Sequence, residues 1–118
     1  MAHPNPVVHF EILGRDKKLL EEFYTSIFNW KIEYLQPDYA IAKPGSGING
    51  GIGAMGEARE HVTFYVAVPD VPAALALIES KGGKTAFGPH LIPDGGIFAG
   101  FTDPEGHLIG LVQGPAGM

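Results

Sequence analysis

The stretch Val7-Val8-His9-Phe10-Glu11-Ile12-Leu13-Gly14-Arg15-Asp16 decides the fold. Its first seven residues alternate. Val8, Phe10 and Ile12 fall on one face of an extended chain, and Val7, His9, Glu11 and Leu13 on the other. The first face is wholly apolar and needs a cover. The second puts an imidazole and a carboxylate two residues apart on the same side of one strand. Gly14-Arg15-Asp16 ends the strand. Asp16 fits a helix N-cap, because its carboxylate can accept from the free N–H groups of the first turn. Leu19, Leu20, Phe23, Tyr24 and Ile27 follow at helical spacing, so they are expected to form the apolar stripe of a helix ending near Phe28-Asn29. Lys17-Lys18 and Glu21-Glu22 read as its solvated face. Three short strands are expected next, at Trp30–Leu35, Tyr39–Ala42 and about Gly51–Met55. They are parted by the turn-forming Gln36-Pro37-Asp38 and Pro44-Gly45-Ser46-Gly47.

The order then repeats. Val62, Phe64, Val66 and Val68 alternate with His61, Thr63, Tyr65 and Ala67. Asp70 is again a candidate N-cap, and Pro72 sits early in the helix, where its missing N–H costs little. Val71, Leu75 and Ile78 supply the apolar stripe, and Gly82-Gly83 supplies the C-cap. Strands are expected at Lys84–Phe87, Gly96–Thr102 and His107–Val112. Asp103-Pro104-Glu105-Gly106 fits a type I turn joining the last two as a hairpin. Laying Asp16 on Asp70 brings Phe10 onto Phe64, Phe23 onto Leu77 and His9 onto Thr63. The chain thus reads strand–helix–strand–strand–strand twice, an internal duplication. The expectation is one α+β domain over residues 1–118, with module one at about 7–55 and module two at about 60–113. Each sheet buries one face under its helix and must cover the other with a second sheet or a ligand. Two such sheets face to face make an incomplete barrel. Its concave cavity would be lined by His9, Glu11, Thr63 and Tyr65, the expected ligand-binding residues.

Composition narrows the function. At 118 residues the chain can bury a core without a staple. It has no cysteine, which excludes a disulfide framework, a thiolate metal site and cysteine catalysis. The net charge of −5 comes with no basic stripe, which argues against nucleic acid or an anionic membrane as partner. The apolar runs are strand-sized, short of the roughly 20 residues of a spanning helix. Met1-Ala2-His3-Pro4-Asn5-Pro6 has no signal-peptide pattern, so a cytoplasmic protein is expected. Gly45-Ser46-Gly47 and Asn49-Gly50-Gly51 are followed by neither Lys-Ser nor Lys-Thr, nor by a helix, which rejects a phosphate-cradling loop. No Ser-His-Asp spacing supports a hydrolase.

Val8–Ile12 followed by Asp16, Phe23-Tyr24 and Phe28-Asn29-Trp30 resembles the opening of glyoxalase-like modules. Gly82-Gly83-Lys84 and Asp103-Pro104-Glu105-Gly106-His107-Leu108-Ile109-Gly110-Leu111 resemble the second module. The resemblance spans roughly residues 7–113 and is to the vicinal-oxygen-chelate superfamily: glyoxalase I, bleomycin-resistance proteins and extradiol dioxygenases. The ending Gly110-Leu111-Val112-Gln113 looks closest to the lactoylglutathione-lyase-related group. The resemblance implies a homodimer. It also implies a divalent metal held by ligands from both modules, open to two neighbouring substrate oxygens.

Position by position, that ligand set is mostly missing. His9 stands at the first-module ligand position. Counting back from Gly82-Gly83 puts Thr63 at the second, and a neutral hydroxyl is a poor ligand for a borderline metal. Gly110 stands where the last strand usually carries Glu. Gly51–Met55 contains no Asp or Glu. The leading expectation is therefore a protein that binds a small molecule in the cavity without the standard metal. The alternative is a metal-dependent lyase, isomerase or dioxygenase in which His9, Glu11 and His61 form a three-ligand set. An interaction domain is a third class. Among other candidates, the Tyr65 hydroxyl can serve a ligand or stand in the cavity wall. Trp30 reads as core or interface. His90 and Asp94 fall on loop segments that serve as a lid or as plain turns.

Overall fold

The computed structural model describes residues 4–36, 39–54, 61–92 and 95–114. The fold is α+β, with the βαβββ order occurring twice. By compactness the chain divides into two units, residues 9–63 and residues 64–118 together with the N-terminal segment up to Val8. Expectations that rest on Met55, Pro37-Asp38, Pro93-Asp94, the first three residues and the tail after Gly114 lie outside the described residues.

In the first unit, β1 (Val7–Gly14) leads to α1 (Lys17–Phe28), β2 (Lys31–Gln36), β3 (Tyr39–Lys43) and β4 (Gly50–Ala54). β1 pairs parallel with β4, setting Glu11 opposite Gly51. β3 lies antiparallel to β4, and β2 antiparallel to β3. Ile12, Ala40, Ala42 and Ile52 are buried. The Asp16 carboxylate accepts from Leu19 N–H at 3.0 Å, as an N-cap should. The helix stops where Asn29 takes a left-handed conformation, φ 59°, and donates its N–H to the Thr25 carbonyl.

The buried side of α1 differs from the expected stripe. Leu20 and Tyr24 are partly buried, but Leu19, Phe23 and Ile27 are exposed. Glu21, read as solvated, is only 6% exposed. Its carboxylate pairs with the Lys17 ammonium and accepts from the Tyr34 hydroxyl at 2.8 Å. Those two partners satisfy a buried charge that would otherwise be costly. The hydrogen bond from Tyr34 to Glu21 also pushes the phenol pKa up. Tyr24 stacks on Trp30 with centroids 5.6 Å apart, and Trp30 also meets Phe10 and Phe28 at 5.3 Å. Trp30 is thus a local core residue, one of the two roles expected of it.

In the second unit, β5 (His61–Ala67), which begins in the first, leads to α2 (Val71–Ser80), β6 (Lys84–Leu91), β7 (Ile97–Thr102) and β8 (Leu108–Gln113). The pairing repeats the first unit: β5 parallel with β8, β7 antiparallel with β8, β6 antiparallel with β7. Val68, Val71, Leu75, Ala99 and Leu111 form the core. The Asp70 carboxylate caps α2 by accepting from Ala73 N–H. The Gln113 side-chain carbonyl accepts from Val71 N–H at 2.6 Å, tying β8 to the start of α2. The β7–β8 hairpin turns as expected. Asp103 Oδ1 accepts from the N–H groups of Glu105 and His107, and these bonds, the one from His107 foremost, hold the Asp103 carboxyl below its ordinary range.

Two expectations fail here. On β5, Val62 and Phe64 are exposed while Thr63 is buried. The apolar face is used at the far end of the strand, where Val66 and Val68 meet the core of α2. β6 runs on to Leu91 rather than stopping at Phe87, with register shifts between Thr85 and Phe87 and between Phe87 and His90. Gly88, at φ +84°, and Pro89 sit in that irregular stretch of an edge strand. Proline, which has no N–H to give a ladder, is tolerated there. His90 therefore lies on a strand paired with Phe98, not on a loop. Among the described residues no helix is long and apolar enough to cross a membrane.

Candidate functional site

The imidazole and carboxylate of β1 meet a residue that sequence reasoning did not single out. Tyr39, the first residue of β3, donates its hydroxyl to Glu11 Oε2 at 3.0 Å. The same phenol oxygen lies 2.8 Å from His9 Nε2. A phenol has one proton. With that proton given to Glu11, the contact with His9 requires Nε2–H to donate to the phenol oxygen. On the other carboxylate oxygen, His61 Nε2 lies 3.1 Å from Glu11 Oε1. A carboxylate only accepts, so His61 also carries its proton on Nε2. The result is a chain of four side chains, His9–Tyr39–Glu11–His61, all within the first unit.

Backbone geometry places each member. β1 carries His9 and Glu11 on one face by strand alternation. β4 lies beside β1 with Gly50 and Gly51 opposite Phe10 and Glu11. A Cβ at position 51 would collide with the Tyr39 ring and hydroxyl, and one at position 50 with the Phe10 ring. The two glycines thus admit the rings, and Tyr39 reaches Glu11 across the gap. Glycine inside a strand marks such a close approach, which was the signal available for Tyr39.

Glu11 is only 8% exposed, while His9, Tyr39 and His61 are partly exposed around it. Burial holds the His9 pKa below the ordinary histidine value, against the opposing pull of the Glu11 carboxylate. His9 is therefore neutral at pH 7.

His9, Glu11 and His61 come together as a group, His61 bonded directly to Glu11 and His9 reaching it through the Tyr39 hydroxyl, not around a shared point. Among the described residues no group of three or more His, Asp or Glu side chains is placed to hold a metal ion. The divalent metal implied by the superfamily does not fit this donor set. His9 Nε2 is a proton donor to Tyr39, Gly51 and Gly110 offer no side-chain oxygen, and Thr63 offers a hydroxyl. Thr63 is buried at the start of β5. Tyr65 packs its ring over Gly110, its partner across β5 and β8. The ring thus fills the space that a side chain at position 110 would take. His90 stands apart on β6, between Phe87 at 6.1 Å and Phe98 at 5.3 Å.

The family model for the Glyoxalase/Bleomycin resistance protein/Dioxygenase superfamily matches residues 7–111. Solved structures agree on the fold. A superfamily member from Vibrio splendidus 12B01 superposes with a TM-score of 0.68 at 16% identity, covering 93% of this chain and 99% of the other. Methylmalonyl-CoA epimerase from Mycobacterium tuberculosis gives 0.69 at 16% identity, covering 92% and 87%. A Legionella pneumophila protein bearing the name NAD-dependent benzaldehyde dehydrogenase gives 0.70 at 17% identity, covering 95% and 100%. Names this different at such low identity show a shared fold and leave the reaction open. No curated protein sequence matches the chain. On the span of the family match and the repeated βαβββ order, the chain belongs to the glyoxalase/bleomycin resistance protein/dioxygenase superfamily.

Proposed function

We propose that this protein binds a small neutral or cationic molecule at the His9–Tyr39–Glu11–His61 chain, without a divalent metal. One observation carries the reading: the Tyr39 hydroxyl stands between His9 and Glu11 and hydrogen-bonds to both. A polar group so satisfied is stable without an ion. The partly exposed imidazoles and phenol around the buried carboxylate offer donors and acceptors to a ligand. The buried Glu11 carboxylate at the centre of the site disfavours an anion.

Calorimetric titration of Ni²⁺, Zn²⁺ and Mn²⁺ into chelator-treated protein tests the metal-free half. The expected result is no stoichiometric binding, in the parent or in His9→Ala. Stoichiometric binding abolished by His9→Ala overturns the reading and favours a metal-dependent lyase, isomerase or dioxygenase using His9, Glu11 and His61. For the ligand half, a thermal-shift screen should give hits among neutral and cationic compounds that Glu11→Gln loses. Hits confined to anions contradict it.

A further inference from the structure

We infer that Tyr39 is the residue that denies this protein a divalent metal, and that removing it creates a metal site from His9, Glu11 and His61. The inference rests on the metal-free reading above and assigns its cause to one side chain. Three observations meet at Tyr39. Its oxygen lies 2.8 Å from His9 Nε2 and 3.0 Å from Glu11 Oε2, so it takes up one nitrogen and one oxygen that a cation would need. It fixes the His9 proton on Nε2, where a metal needs the lone pair. Its ring rests on Gly51, so the neighbouring strand holds it in place.

The third donor is already near. His61 Nε2 lies 3.1 Å from Glu11 Oε1. Metal–nitrogen and metal–oxygen bonds of about 2.0–2.2 Å require such groups to close on one point. A neutral phenol is itself a weak ligand and cannot replace either donor it occupies. Two imidazoles and a carboxylate, the set left after its removal, suit Zn²⁺ or Ni²⁺. A side chain placed at position 110 would displace the Tyr65 ring and leave His9 tied to Tyr39.

The test titrates Zn²⁺ and Ni²⁺ into chelator-treated parent, Tyr39→Ala and the double variant Tyr39→Ala/His9→Ala, with circular dichroism to confirm folding. Tyr39→Ala should bind one ion per chain, at least about tenfold tighter than the parent, on the scale of outer-shell effects on metal affinity. The double variant should lose it. A folded Tyr39→Ala that gains no binding overturns the inference and leaves the metal-free reading intact. A parent that binds stoichiometrically through His9 overturns that reading and this inference with it. If Tyr39→Ala does not fold, Tyr39→Leu, which removes the hydroxyl and keeps apolar bulk against Gly51, decides by the same two outcomes.

Discussion

Glu11 and Tyr65 hold the same place in the two modules. Each lies on the first strand of its module, opposite a glycine of the last: Glu11 faces Gly51, and Tyr65 faces Gly110. The space over each glycine is filled by a tyrosine ring, by different routes. Over Gly110 the ring is that of Tyr65 itself; over Gly51 it is Tyr39, from β3. The first module can therefore keep a carboxylate at the equivalent of Tyr65 and hold it with a phenol from the next strand but one. The second uses the position for packing. One backbone register has been kept twice while the side chains divided the labour between polar chemistry and apolar bulk.

If the rings are what the glycines accommodate, Gly51→Ala and Gly110→Ala should be the most damaging changes. Overpacking of this kind costs about 1–3 kcal/mol. In chemical denaturation each should be relieved when its own tyrosine is cut to Ala, and not by cutting the other. A coupling of at least about 0.5 kcal/mol within each pair is expected, and additive pairs would show that the rings can move aside. Glu11→Gln keeps the shape and removes the charge. It should cost about 1–2 kcal/mol through its hydrogen bonds with Tyr39 and His61. The features that the modules share should respond alike. Asp16→Ala and Asp70→Ala each remove a cap bond of 3.0 Å and should each cost about 1 kcal/mol. Unequal losses would mean that the repeat is one of shape only.

The smallest effect should be pH dependence. Burial holds the His9 pKa below its unfolded value of about 6.5. The unfolded chain therefore takes up the proton first as pH falls. The neutral form's full contribution is present above the unfolded pKa and is lost as pH falls toward the folded one. Melting temperature should thus drop between about pH 6.5 and 5 more steeply in the parent than in His9→Gln. Parallel slopes would contradict the burial of His9.

Much of the fold could be read from the sequence because both modules announce it by local rules. Asp caps, strand alternation and the Asp103–Gly106 turn depend on neighbours only a few residues away. What escaped depended on distant partners. Glu21 looked solvated beside Lys17, but it is buried and accepts from the hydroxyl of Tyr34, on the next strand. Five apolar positions on α1 exceeded what one buried face takes, and spacing alone does not choose among them. His90 reads as part of a loop after a strand ending at Phe87, yet the register shifts let β6 continue to Leu91. In the site, His9, Glu11 and His61 were recognisable by residue type and strand face. Tyr39 was not, since a tyrosine at a strand start carries no motif and its partners lie 28 and 30 residues away. Only Gly50-Gly51 hinted that a ring would approach.

The hydrogen-bond chain turns on Tyr39, which donates to Glu11 and therefore accepts from His9. Long-range proton–nitrogen NMR of the histidine rings reads this directly. At pH 7 the expected result is a neutral His9 with its proton on Nε2, a preference lost in Tyr39→Phe. A His9 protonated on Nδ1 alone, or an imidazolium at that pH, would contradict the hydrogen-bond chain on which the proposed function rests.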